Sequence, residues 1–201
     1  MNRILLLALI VLILSCKSEN KDEHKLKIEF EESTSETLNF DDKFQAFITQ
    51  FPEIETPIKI KACDDDFSNL QKLNEKTNLI KRKEQNYIFC KIKTNGTYVA
   101  IITLEETECY MPVLTTFKPN GEKISSENLM IGLCGSDPCF ECEELMEIDN
   151  DLNIYIAFNS RYFDCDENGQ EIEGTEKTEV IYRNGKLTEN GIIELTEKLK
   201  K

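Results

Sequence analysis

An unbroken apolar run from Ile4 to Leu14 opens the chain, a polar stretch continues to about Thr37, and apolar residues then recur first with a helical and later with a strand period. Phe40, Phe44, Phe47, Ile48 and Phe51 fall on one stripe of a helix. Asn39 is placed to cap that helix and Pro52 to end it, and the stripe is expected to pack on a sheet. After Pro57 the period drops to two, with Ile58, Ile60 and Ala62 on one side of a strand that runs into the turn-like Asp64, Asp65 and Asp66. Further strands are expected over Tyr87 to Ile92, Tyr98 to Leu104, Tyr110 to Phe117, Leu152 to Phe158 and Thr178 to Tyr182.

Asn-Gly dipeptides at Asn95-Gly96, Asn120-Gly121, Asn168-Gly169, Asn184-Gly185 and Asn190-Gly191 mark turns, because both residues tolerate the positive φ of tight hairpins. Most are expected to be hairpins, and the last to begin a short helix carrying Ile192, Ile193, Leu195 and Leu199, with Lys198 and Lys200 at its negative end. The dipeptides are unevenly spaced, which disfavours a propeller or solenoid. The expected fold class is therefore α+β: an amphipathic helix, an antiparallel β-meander as a curled sheet or open barrel, and a short C-terminal helix, with lipocalin-like and sandwich forms as alternatives. Three segments are expected: a leader over residues 1–15, a charged tether over 16–37, and one globular domain over 38–201, since no Pro/Gly-rich linker divides it.

The leader has the layout of a signal peptide, with Arg3 ahead of the apolar run and Ser15-Cys16 directly behind it. The run is too short to span a bilayer core of about 30 Å at about 1.5 Å per helical residue. Ile13-Leu14-Ser15-Cys16 resembles a lipobox, although Leu14 is bulkier than the small residue usual at that place. The resemblance implies cleavage before Cys16 and covalent lipid on Cys16, a diacylglyceryl thioether usually joined by an N-acyl chain. Two or more acyl chains anchor a protein durably, so the membrane is a partner through lipid alone. Lys17 stands where an aspartate signals inner-membrane retention in some Gram-negative lipoproteins, which favours the outer membrane. Lys17 to Glu23 is similar to the charged export tags of surface-displayed lipoproteins, and periplasmic and surface placement both stay open.

Charge narrows the partners. The chain carries 24 basic and 38 acidic side chains, a formal net charge of −14. Such a surface repels a phosphate backbone, so no nucleic-acid partner is expected.

Cysteine carries most of the remaining chemistry. With Cys16 acylated, Cys63, Cys90, Cys109, Cys134, Cys139, Cys142 and Cys165 remain in an oxidising compartment, where disulfides are the default and an odd count leaves one thiol over. Sequence alone does not fix the pairing. Cys134, Cys139, Cys142 and the distant Cys165 resemble the C-x4-C-x2-C…C spacing of plant-type ferredoxins. Such clusters are normally loaded in the cytoplasm, so neither iron–sulfur nor structural zinc is preferred over disulfides, and no cofactor is expected. Cys139-Phe-Glu-Cys142 also looks like the redox pair of thioredoxin-like proteins, but no Trp precedes it, and Glu141, Glu143 and Glu144 would raise a thiolate's pKa.

Asp164, Asp166 and Asn168 copy the opening of an EF-hand loop, with Thr175 where a bidentate Glu belongs, so an ordinary turn is preferred over a metal site. The single histidine, His24, lies in the tether, and no G-x-S-x-G, H-E-x-x-H or Walker loop occurs. The Phe-rich helix before Pro52, the Thr116-Phe117…Asn120-Gly121 turn and Tyr182-Arg183-Asn184-Gly185-Lys186 resemble uncharacterised bacterial envelope lipoproteins. The expectation is a non-enzymatic binding or interaction module with disulfide-braced β structure and a protein or small-ligand partner at the envelope. The alternative is a thiol-disulfide oxidoreductase using Cys139 and Cys142.

Overall fold

A computed structural model describes residues 40–63, 66–74, 79–80, 85–132, 134–135 and 137–201, within the unit Thr37–Lys201. The leader, Cys16 and the tether lie outside the described residues. One helix and eleven strands follow in order: α1 (Phe40–Ile48), β1 (Glu53–Ile54), β2 (Ile58–Lys61), β3 (Asn86–Ile92), β4 (Val99–Glu106), β5 (Tyr110–Phe117), β6 (Lys123–Asn128), β7 (Phe140–Ile148), β8 (Asn153–Tyr162), β9 (Lys177–Leu187), β10 (Ile193–Leu195) and β11 (Leu199–Lys200).

Of the described residues 49% lie in strands and 6% in helix, which overturns the α+β expectation: the protein is essentially all β. The strands form two sheets instead of one curled sheet or open barrel. Sheet A runs β1-β3-β4-β5-β6 and sheet B runs β10-β9-β8-β7-β2, with β11 also on β9. Every pair is antiparallel except β1 with β3.

The main core lies between the sheets. Cys90, Ile92, Ala100, Ile102, Leu104 and Leu114 of sheet A meet Ile58, Ile60, Met146, Ile148, Ile154, Ile156, Leu187 and Ile193 of sheet B, all nearly or fully buried. Burying each aliphatic side chain of this kind contributes about 1.5–3 kcal/mol relative to leaving it in water, which is why the alternating strands stack face to face.

A second cluster covers the other side of sheet A. There Ile88, Ile101 and Phe117 pack against Phe44, Phe47, Ile48 and Phe51, with Leu73 and Ile80 alongside. The ring of Phe117 lies 5.4 Å from Phe44 and 6.0 Å from Phe47. Asp41 and Asp42 in the first turn suit the positive end of the helix. Phe40, placed on the buried stripe by its spacing, is instead 54% exposed at the first turn of the helix, where its ring edge lies against Gly121.

The chain's end departs from expectation too. Asn190-Gly191 forms the turn between β9 and β10, with Gly191 N–H donating to Thr188 O at 2.9 Å, and the expected C-terminal helix is two short strands, β10 and β11. Asn184-Gly185 is no turn, for it lies inside β9. Gly185 is needed there because Leu195 sits opposite it, and a Cβ would collide with the Glu194 carbonyl and the Leu195 side chain. By contrast Gly96, Gly121, Gly169 and Gly191 all adopt positive φ in turns.

Candidate functional site

Three disulfides brace the fold. Cys63, just past β2, joins Cys109 in the turn between β4 and β5 with Cα atoms 4.8 Å apart, so it staples sheet B to sheet A beside the Tyr110 N–H to Ala62 O bond of 3.2 Å. Cys134 joins Cys142 on β7, and Cys139 joins Cys165 in the long β8–β9 connection, with Cα separations of 5.6 and 5.9 Å. The spacing that resembles a ferredoxin or zinc site is thus consumed by two bridges. Cys139 and Cys142, read as a redox couple, are not bonded to each other, so the arrangement that the oxidoreductase alternative needs is not formed. Nor does Cys139 open a helix: it has φ of +59° in the turn that leads into β7.

Among the described cysteines Cys90 alone has no disulfide. It is fully buried between the sheets, where loss of solvation pushes its thiol up to about 12. That makes it an inert apolar filler at neutral pH.

The calcium-like residues behave as a turn. Asp166 Oδ1 accepts the Asn168 and Gln170 N–H groups, each at 2.8 Å, and these bonds hold its carboxyl below the usual range. Asp164 faces Lys177 at 3.8 Å and its own N–H donates to Thr175 Oγ1, so the EF-hand pattern gathers no cage. Among the described residues no group of three or more His, Cys, Asp or Glu side chains is placed to hold a metal.

Glu144, which the sequence presents only as an acidic neighbour of the C-x-x-C pair, is a buried carboxyl. It projects from β7 on the core side, between Cys142 and Met146, and is 1% exposed. Its carboxylate accepts the backbone N–H of Ile131 and, at 3.3 Å, that of Gly132, while Lys198 Nζ donates to Ile131 O at 2.8 Å. Burial raises its pKa to about 7 despite those two N–H donors and the nearby Lys198 charge. The group clasps the segment that leads to Cys134.

The other feature missed is the outer face of sheet B. Strand alternation turns Glu141, Glu143, Leu145 and Glu147 of β7, Tyr155, Ala157, Asn159 and Arg161 of β8, and Val180, Tyr182 and Lys186 of β9 away from the core. In register, Leu145, Ala157, Tyr182 and Leu199 form an apolar row across four strands. Tyr155 and Tyr182 touch with centroids 6.2 Å apart, and Tyr155 and Leu199 are 37% and 41% exposed.

Two shallow depressions flank this tyrosine ridge. One of about 370 Å³ lies over Glu143, Asn159, Thr178 and Val180, and one of about 350 Å³ over Asn184, Lys186, Glu194 and Thr196. Charges on the β2, β7 and β8 side of this face are paired: Lys59 with Glu147 at 3.1 Å, Lys61 with Glu143 at 2.6 Å, and Arg161 with Glu141. α1 covers the corresponding outer face of sheet A, whereas on this one Tyr155 and Leu199 stay exposed beside the buried Ala157. The available signal was the run Ile154-Tyr-Ile-Ala-Phe158, apolar at both strand phases, which is the pattern of a strand covered on two faces.

No family model, curated protein or solved structure matches the chain. Among the described residues no helix is long and apolar enough to cross a membrane.

Proposed function

We propose that the protein is a bacterial envelope lipoprotein, cut before Cys16 and held by lipid on that residue, whose disulfide-braced β-sandwich acts as a non-enzymatic binding module. Ile13-Leu14-Ser15-Cys16, placed directly behind the apolar run, is the observation that carries the address. The residue after the cysteine, Lys17, favours the outer over the inner membrane. Support for a binding role comes from the apolar, charge-paired outer face of sheet B, and support for an oxidising compartment from three cysteine pairs at bonding distance. The two cysteines of the C-x-x-C are each bonded to another cysteine, Cys139 to Cys165 and Cys142 to Cys134.

The test is metabolic labelling of cells with a radioactive fatty acid, with membrane fractionation, for the native chain and for Cys16→Ser. The native chain is expected to take up label and to stay with the outer membrane after a salt wash. Cys16→Ser is expected to lose label and retain its leader. An unlabelled, freely soluble native chain would end the anchoring proposal.

A further inference from the structure

We infer that the outer face of sheet B is a self-association surface whose partner is a second copy of the same chain. The inference rests on the proposed reading of this face as a binding surface and names its occupant.

The outward phase of sheet B is mixed: among Glu141, Glu143, Glu147, Asn159, Arg161 and Lys186 it carries an apolar row of Leu145, Ala157, Tyr182 and Leu199, with Tyr155 and Val180 beside it. Ala157 is already buried beneath its neighbours, Leu145, Val180 and Tyr182 are half-buried, and Tyr155 and Leu199 keep over a third of their surface in water. An apolar patch of that kind is completed by a cover.

Size comes next. At about 3.4 Å per residue and about 4.8 Å between strands, the ten residues of β8 and the strands beside it present a footprint of about 30 by 20 Å. Stacking two such faces would bury about 1,200 Å² in all, which reaches the lower bound of stable protein interfaces and exceeds what a small ligand covers. The relief is also self-complementary in kind, because a tyrosine ridge runs beside a depression of about 370 Å³ that a ridge from another copy can enter. A twofold axis between ridge and depression satisfies both at once.

Charge selects the occupant. The chain has a net charge of −14, so two copies repel over most of their surface. On this face Lys59, Lys61 and Arg161 neutralise Glu147, Glu143 and Glu141 within the same molecule, leaving it the place where two acidic copies can meet without stacking like charge. A basic partner would gain nothing from landing there. The remaining repulsion is long-ranged and screened by salt, so self-association must strengthen as salt rises, the reverse of binding to a basic protein.

The experiment uses the full lipidated chain in a mild non-ionic detergent. A photoreactive benzophenone amino acid is placed at position 155 or, in a separate chain, at 178, and the purified chain is irradiated at about 20 mM and about 500 mM salt. Expected is a covalent species of twice the chain's mass, with the cross-linked peptides falling in β7, β8 or β9 of the second copy and the yield higher at high salt. Leu199→Glu with Tyr155→Glu, read with the probe at 178, is expected to lower the yield at least tenfold, about 1.4 kcal/mol, with the urea midpoint unchanged. Sedimentation of the unsubstituted chain at the two salts gives the same answer without any variant.

Cross-links in whole cells only to another polypeptide or to a polysaccharide would keep this as a binding face but overturn the second copy as its occupant. Absence of any cross-link, with a monomer at both salts, would overturn the binding face as well, and neither result touches the lipid on Cys16.

Discussion

Glu144 gives the sharpest test of the fold's energetics. Its carboxyl is buried on the core side of β7, and its pKa rises from the ordinary 4.5 to about 7. Since one pH unit of displacement corresponds to about 1.4 kcal/mol, the folded state prefers the protonated group by about 3 kcal/mol. The native chain therefore holds a proton that the unfolded chain has released between pH 4.5 and about 7. Stability must fall as pH rises across that window and level off above it.

Glu144→Gln removes the titration. It also turns one acceptor oxygen into an NH2 donor facing the Ile131 or Gly132 N–H, a mismatch worth about 1–3 kcal/mol. The variant is thus expected to be clearly less stable than the native chain at pH 5 and to approach it at pH 8. Urea midpoints at half-unit intervals from pH 4.5 to 8, with disulfides intact, supply the measurement. The carboxyls of Asp66, Asp149 and Asp166 are held below their ordinary range, so their contributions are lost only at lower pH and leave this window clear. Parallel pH profiles for the two chains, or a native midpoint that rises with pH in this window, would refute the reasoning.

Removing the inter-sheet staple with Cys63→Ala and Cys109→Ala reopens a 46-residue separation, and loop-closure entropy puts the loss at about 4 kcal/mol, visible as a lower thermal midpoint. An unchanged midpoint would mean that the turn at Tyr110 is held by its backbone bonds alone. Cys90 is expected to resist iodoacetamide at pH 8 in the folded protein and to react promptly in urea, because its thiol is buried and its pKa is about 12. Labelling of Cys90 at the same rate in both states would contradict its placement between the sheets. Gly185→Ala is expected to destabilise by about 1–3 kcal/mol, since a Cβ there meets the β10 backbone. A neutral result in urea would show that β10 does not pack so closely on β9.

Part of the fold was legible because local rules and tertiary demands agree there. At β3, β4 and β5 the apolar alternation and the flanking turns give the same answer, and at Gly96 and Gly121 the positive φ is the property that Asn-Gly predicts. Phe44, Phe47, Ile48 and Phe51 likewise state their helix in their spacing. β7 was missed because Glu144 interrupts the core phase Phe140, Cys142, Met146, Ile148 with a charge, and only the waiting N–H groups of Ile131 and Gly132 make that burial tolerable.

What the amino-acid order determined by itself was the β-rich character of the chain, its acidic surface, its seven cysteines beyond Cys16 and the absence of a histidine from the domain expected over 38–201. Which cysteines pair was decided by tertiary structure, since proximity of Cys63 to Cys109 or Cys139 to Cys165 depends on how strands distant in sequence align. The same holds at the C-terminus. Ile192, Ile193, Leu195 and Leu199 suit a helix as well as two strands, and the open edge of β9 settled the matter by satisfying backbone groups that a short helix would leave to water. Gly185 shows the difference most plainly: its dipeptide predicts a turn from backbone freedom, while the fold uses only the missing Cβ, because another strand passes where that atom would be.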